Sequence, residues 1–370
     1  MGGHDRDNEY RLMRFKVCKA YIKYLAACIA LIAFISTVTA CVPQGQTGAE
    51  LYVINADSLM LPFQELAETF EAQNPDVDVL IEGHGSIQVI RQVTELGAEA
   101  DVLAVADYSL IPMMMYDVKI PGTSNSYADW YMIFATNNMV VAYTSQSKYA
   151  EQINAENWYE ILGRPDVVVG MSDPRFDSSG YRALMTCQLA ELYYGNDSVF
   201  EDITGEFSPS ITVTEANSTY TIDIPQVIRP SKMSIRGSSI ALLSTLQSGD
   251  IDYAFLYESV AEQHGLQFIQ LPPEIDLFTD DFKTLCSGMS VTIDFQRFAS
   301  VNPEFECQPI SYGITIPQSA KHSELATEFI EFIYSEEGLR IFEEFQHPLI
   351  LPPLADNPDN LPSQLGHLIR

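Results

Sequence analysis

Positive charge is scarce in this 370-residue chain once its first 41 residues are set aside. Leaving out the six basic and three acidic residues of that leader gives 14 Lys+Arg against 47 Asp+Glu, a net charge near −33. So acidic a surface repels nucleic acid and anionic lipid, which makes both poor partners for the globular part. It also repels anionic ligands at long range, so an anion site here must rely on neutral hydrogen-bond donors at short range; salt would screen the repulsion. Cysteine is scarce too. Beyond Cys41 only Cys187, Cys286 and Cys307 remain, without a CxxC pair or zinc-ligand histidine spacing, so no zinc site is expected. There is no GxSxG elbow, no HExxH, no phosphate loop and no glycine-rich dinucleotide turn, and no histidine close in sequence to serve the serines of "DSSGY" as a base. These absences point away from catalysis and from a cofactor.

A second long apolar run is also missing; the one present lies in the leader. Arg6, Arg11, Arg14, Lys16, Lys19 and Lys23 precede "YLAACIALIAFISTVTA" and Cys41, the charged and apolar regions of a secretory signal. The small residues of "VTAC" suit cleavage before Cys41, whose thiol can then take a lipid. The alternative is an uncleaved membrane anchor, since about 17 residues is near the shortest span. On either reading the rest is extracytoplasmic, held at the outer face of the cell membrane, with residues 42–50 as a polar tether.

With 46% hydrophobic and 19% charged residues, the remainder suits two lobes rather than disorder. Strand-like and helix-like segments alternate from "LYVIN" through "ADVLAVAD", and Leu59, Phe63, Leu66 and Phe70 recur at helical spacing. The pattern predicts an α/β fold whose first lobe has a parallel sheet, with ligands at the carboxyl ends of strands. "DWYMIFATNNMVVAYT" and "ISYGITIP" read as two extended crossings between lobes of 51–133 plus 311–370 and 134–310, a hinged clamshell. "PPLADNPDNLP" reads as a loop-rich tail. Cys286 and Cys307 are a candidate disulfide for an oxidising compartment, and Cys187 is a small buried hydrophobe.

"NADSLML", "HGSIQVI" and "DSSGYRA" each place serine at a strand-to-helix turn, where free N–H groups gather. One such serine is ordinarily an N-cap; three across two lobes suggest an anion cup. Tyr257, a phenol at a strand end, suits an oxyanion donor. Arg182 is expected to pair with a surface acid, His84 to be a solvated loop residue, and Arg229, Lys232 and Arg236 to form an exposed basic loop or to offset charge near the cleft.

The ordered segments "ADSLMLPFQEL", "GSIQVIRQVTELGAEADVLAVADYSLIP", "SDPRFDSSGYRALM", "LQSGDIDYAFLYESVAEQHGL" and "YGITIPQSA" resemble the archaeal-type tungstate/molybdate-binding proteins of ABC transporters, from about Leu51 to Gln346. The resemblance implies a two-lobed extracytoplasmic receptor of periplasmic-binding-protein type that closes over a tetrahedral oxyanion and delivers it to a permease, and a monomer is expected. It puts the anion contacts on Asp57, Ser58, Ser86, Asp177, Ser178, Ser179, a position near Ser239, and Tyr257. It also implies that two carboxylates, an Asp and a Glu, approach the metal of the anion; Asp177 matches the Asp. The Glu is absent, because Arg229 to Gly249 contains no acid, and Asp57 stands where the family has glycine. Two readings of Asp57 are open: a second carboxylate from the other lobe, or an N-cap of its own helix. A receptor for another oxyanion such as sulfate, and a sensor ectodomain, are the competing functions.

Overall fold

The computed structural model describes residues 48–278, 283–294 and 303–369, so the leader and Cys41 lie outside the described residues. Leu59, Phe63, Leu66 and Phe70 share one buried face of a 3-10 turn (Asp57–Leu59) and helix α1 (Met60–Gln73). Phe63 meets Phe134 and Phe342 edge-on, and Phe70 meets Phe329 likewise. Full burial of each such side chain is worth roughly 1.5–3 kcal/mol, which is why this stripe fixes the helix to its sheet.

Strands β1 (Ala49–Ala56), β2 (Val77–His84) and β3 (Val102–Val105) pair in parallel as the alternation predicts. β1 starts two residues inside the expected tether, because Ala49 already pairs with Val77 and donates its N–H to Asp76 O at 2.9 Å. The first sheet is mixed rather than parallel. β14 (Ser311–Thr315) lies antiparallel between β3 and β4 (Tyr131–Thr136), and β15 (Leu349–Asp356) forms the edge, in the order β15-β4-β14-β3-β1-β2. β15 replaces part of the expected loop-rich tail. Its Pro352 and Pro353 are tolerated because pairing with β4 skips from Leu349 to Leu354 around them on an edge strand. Helix α2 (Ser86–Thr94) connects β2 to β3.

The second sheet combines β5 (Met139–Tyr143), β6 (Val169–Ser172), β9 (Ser234–Arg236), β10 (Tyr253–Tyr257) and β11 (Gln267–Gln270) in the order β11-β5-β10-β6-β9. It carries α3 (Trp158–Gly163), α4 (Ser178–Tyr194), α5 (Val199–Thr204), α6 (Ser239–Gln247) and α7 (Glu258–Gln263). Gly195 ends α4 in the left-handed region at φ 61°. A third sheet, β13-β12-β8-β7, was not anticipated: β7 (Thr212–Ala216), β8 (Thr219–Ile224), β12 (Met289–Ile293) and β13 (Glu304–Glu306). Its β7–β8 hairpin turns at Asn217 and Ser218, with φ of 53° and 61°, the backbone that a tight two-residue hairpin turn requires. Cys286 and Cys307 are joined in a disulfide with Cα atoms 5.5 Å apart, while Cys187 is a free, buried thiol.

The chain passes between the first two sheets at Asn137–Asn138, since β4 stays in the first sheet to Thr136, three residues beyond the expected break. The return passes at Ile310. Asn137 N–H donates to Ile310 O at 3.3 Å, Thr136 Oγ1 at 2.7 Å, and Ile310 N–H donates to Leu277 O at 2.8 Å. The two crossings are therefore tied to each other. Two further helices, α8 (Ser323–Ile333) and α9 (Glu336–Glu344), return to the first sheet and pack against α1.

The basic trio does not act as a unit. Lys232 Nζ donates to Leu162 O and Gly163 O, each at 2.9 Å, and to Asp202 O, so it neutralises the carbonyl ends of α3 and α5. Among the described residues, no helix is long and apolar enough to cross a membrane.

Gly180 lets α4 press on the chain leaving β6: a Cβ there would lie 2.4 Å from Ser172 O and 2.6 Å from Pro174 N. Gly180→Ala is expected to cost about 1–3 kcal/mol, read as a lowered midpoint in urea unfolding.

Candidate functional site

The turns marked in the sequence follow carboxyl ends of strands. β1 runs into Asp57 and Ser58, β2 into Ser86, and β10 ends on Tyr257, while Asp177, Ser178 and Ser239 lie beyond β6 and β9. The serines are not N-caps. Ser86, Ser178 and Ser239 are the first helical residues of α2, α4 and α6, behind Gly85, Asp177 and Ser238 respectively. The hydroxyls of Ser86 and Ser178 make contacts beyond their own helices. Ser178 Oγ donates to Ser86 Oγ at 3.3 Å and lies 3.1 Å from Tyr257 Oη, joining residues of both lobes. Ser86 Oγ also accepts Ala106 N–H at 2.9 Å. Ser58 Oγ is 2.9 Å from Tyr312 Oη, whose ring centroid lies 6.1 Å from that of Tyr257. Burial pushes the Tyr257 hydroxyl up to about 12, leaving it a neutral donor at ordinary pH.

Asp177 is the N-cap of α4, and it caps a second helix as well. Its carboxylate accepts Ser179 N–H at 3.3 Å and Ser179 Oγ at 3.1 Å, then Ser239 N–H at 3.1 Å from the start of α6. Ser179 Oγ is also 2.6 Å from Ser172 Oγ, so it braces Asp177. Ser239 enters the site through its backbone. Burial, followed by the charge of Asp57, raises the Asp177 carboxyl from its ordinary 3.8 to about 6 against the pull of these donors.

Asp57 is not the cap of its own helix. No side chain caps the 3-10 turn or α1, and Asp57 instead faces Ser238 on the opposite lobe, which draws its carboxyl downward. Burial raises its carboxyl above the usual range, while Ser238 and His84 pull it down. His84 is no solvated loop residue: it ends β2, with Nε2 2.6 Å from Glu82 Oε1 and 3.2 Å from Gln92 Nε2.

Several participants escaped the sequence reading. Arg182, expected beside a surface acid, is 1% exposed and pairs with buried Asp107 of the other lobe, Nη2 to Oδ2 at 3.2 Å. Tyr181 Oη donates to the same oxygen at 2.6 Å. At the crossing, Asn137 Nδ2 donates to Ser259 Oγ at 2.7 Å and Tyr312 Oη at 3.2 Å. A usable signal existed for Asp107, which sits just past the end of β3, and for Asn137, a polar residue inside an apolar extended run. The cavity of ≈590 Å³ at the hinge, lined by Asn137, Asn138, Glu258, Asp276 and His347 among others, contains none of the cup serines and is a separate feature.

Residues 51–345 match the family model described as bacterial extracellular solute-binding protein. A molybdate/tungstate-binding protein WtpA of Pyrococcus abyssi is 37% identical over 92% of this chain and 97% of its own, and one from Thermococcus kodakarensis is 38% identical over 86% and 88%. An uncharacterized solute-binding protein of Methanoculleus marisnigri is 42% identical over 85% and 86%. Among solved structures, the periplasmic molybdate-binding protein of Azotobacter vinelandii gives a TM-score of 0.51 at 15% identity over 81% of this chain and 99% of its own. The sulfate-binding protein SubI of Mycobacterium tuberculosis gives 0.52 at 14% over 81% and 87%. Likenesses at that identity establish the shared two-lobed fold.

Two expectations follow from the geometry. A carboxyl whose folded value lies above its unfolded one binds its proton more tightly when folded. Ligand-free stability contributed at Asp177 is therefore greatest below about pH 4 and falls as pH rises through about 6. Asp177→Asn should flatten thermal-melting midpoints across that window. Separately, a Cβ on Gly85 would lie 2.6 Å from Phe176 O and 2.8 Å from Asp177 Cβ across the lobes. Gly85→Ala should therefore oppose closure, seen as a larger radius of gyration in solution scattering at an unchanged melting midpoint.

Proposed function

The chain belongs to the bacterial extracellular solute-binding protein family, and on that premise we propose that it is the extracytoplasmic binding component of an ABC transporter for tungstate or molybdate. The observation that carries the choice of ligand is the Asp177 carboxylate, buried among the hydroxyls of an anion cup with Asp57 acting on it from the other lobe. A carboxylate facing the oxygens of an anion is repulsive. One bonded to a hexavalent metal at the centre of that anion is attractive, and sulfur or phosphorus offers no such bond. The names of the two WtpA relatives support the same ligand class.

Ser58, Ser86, Ser178 and Tyr257 then supply neutral donors to the oxygens, Ser179 and Ser239 hold Asp177, and Asp57 is the second carboxylate. The link between Asp57 and Ser238 supports this last role, because Ser238 lies in the acid-free stretch where the resemblance expects a Glu. In this reading glycine and Glu have exchanged for Asp57 and serine across the cleft. The receptor works as a monomer with lobes of about 51–136 plus 311–370 and 139–310, held at the outer membrane face by lipidated Cys41 or an uncleaved anchor, and hands its anion to a permease. The family binds solutes rather than transforming them.

Calorimetric titration of the purified protein tests the ligand: tungstate and molybdate should bind at least tenfold more tightly than sulfate or phosphate. Equal or tighter sulfate binding would overturn the metal-directed role. Asp177→Asn should weaken tungstate at least tenfold, and Asp57→Gly should reduce the oxygen neighbours seen in the metal-edge spectrum of bound tungstate.

A further inference from the structure

Arg182 makes contacts that no donor in the anion cup explains. Its Nη1 donates to Ala106 O at 2.6 Å and to Tyr257 Oη at 2.8 Å, and its Nη2 faces Asp107 Oδ2 at 3.2 Å, too poorly aligned for a hydrogen bond. Ala106 and Asp107 follow β3 in the first lobe, whereas Arg182 and Tyr257 belong to the second. One guanidinium thus grips the opposite lobe with one edge and the cup with its corner.

We propose that Arg182 is a positioning residue that makes the orientation of the Tyr257 hydroxyl depend on lobe closure. This rests on the oxyanion-receptor reading above. A phenol has one proton to give. When its oxygen accepts from Arg182, that proton is directed to the other side, toward Ser178 Oγ and the cup. The fixed positive charge behind the oxygen also makes the O–H a stronger donor to an anion.

Closure is needed for this arrangement. Asp107 carries the counter-charge for Arg182, and it is held in turn by Tyr181 Oη at 2.6 Å, Ser109 Oγ at 2.7 Å and Ser109 N–H at 3.0 Å. When the lobes part, Arg182 loses Ala106 O and Asp107, and nothing then fixes its fork against Tyr257. A second clasp lies on the other side of Ser86: Ile87 and Gln88 N–H donate to Phe176 O at 3.1 and 3.2 Å. Two of the free donors at the start of α2, those of Ile87 and Gln88, are thereby spent on the opposite lobe and not on the anion, which places more of the anion contact on hydroxyls such as that of Tyr257.

The test uses the full chain, with stopped-flow tungstate exchange and solution scattering. Arg182→Met should raise the tungstate off-rate at least tenfold with the on-rate within twofold, since the contacts form only after encounter. In a Tyr257→Phe background the same substitution should have much less effect on the off-rate. Additive effects would overturn the coupling, as would an unchanged off-rate. Asp107→Asn keeps shape and removes the counter-charge; it should raise the off-rate and enlarge the ligand-free radius of gyration, and it decides the matter if Arg182→Met does not fold. Failure of the unaltered protein to bind tungstate sinks the oxyanion reading alone, because the scattering comparison still judges the clasp: equal radii in the unaltered chain and Asp107→Asn reject it.

Discussion

The Asp177 carboxylate is shared by two helix starts, and the geometry of the cleft depends on that sharing. Taking donors from Ser179 at the head of α4 and Ser239 at the head of α6, it sets the spacing of two positive helix ends that would otherwise repel each other. Ser178 and Ser238, the neighbours of those donors, then face Ser86 and Asp57 of the other lobe. Burying a carboxylate is costly unless it is hydrogen-bonded, and its raised affinity for a proton shows that three donors do not fully offset the cost with Asp57 nearby. On the proposed function, a metal at the centre of the anion would offset that remaining cost.

The same logic explains how an acidic protein handles an anion. With a net charge near −33 beyond the leader, long-range attraction is not available, and Arg182, which donates to Tyr257 Oη, is already committed to Asp107. Affinity must then come from short-range contacts and from the fit between lobes, both of which depend on closure. Gly85, lying directly against Phe176 and Asp177, shows how little slack the closed arrangement has.

Much of this was legible in the sequence. The stripe of Leu59, Phe63, Leu66 and Phe70, the strand-to-helix serines, and the extended crossing within "DWYMIFATNNMVVAYT" each obey a local rule, and each has its counterpart in the fold, the crossing three residues later than expected. What was not legible depends on partners distant in the chain. Nothing within a few residues of Arg182 shows that Asp107 will lie opposite it, and Tyr312 meets Ser58 only because β14 inserts beside β3. Asp57 was ambiguous because a residue at a helix start can turn toward its own helix or outward, and only tertiary contact with Ser238 decides. β15 was missed for the opposite reason: its prolines obey a loop rule locally, and an edge position relaxes it.

The crossing at Asn137–Asn138 has a mechanical meaning. Asn137 touches Tyr312, which touches Ser58, so part of the proposed binding wall stands beside the crossing that serves as the axle between the lobes. Points near an axle barely travel. On the cup reading that wall keeps its shape through the stroke, and Tyr257, whose backbone pairs with Met139 beside the crossing, stays near it, while Ser178 at the head of α4 travels with the second lobe. Capture on that reading is sequential, with the wall at the axle sampling what enters and the serine of α4 retaining it.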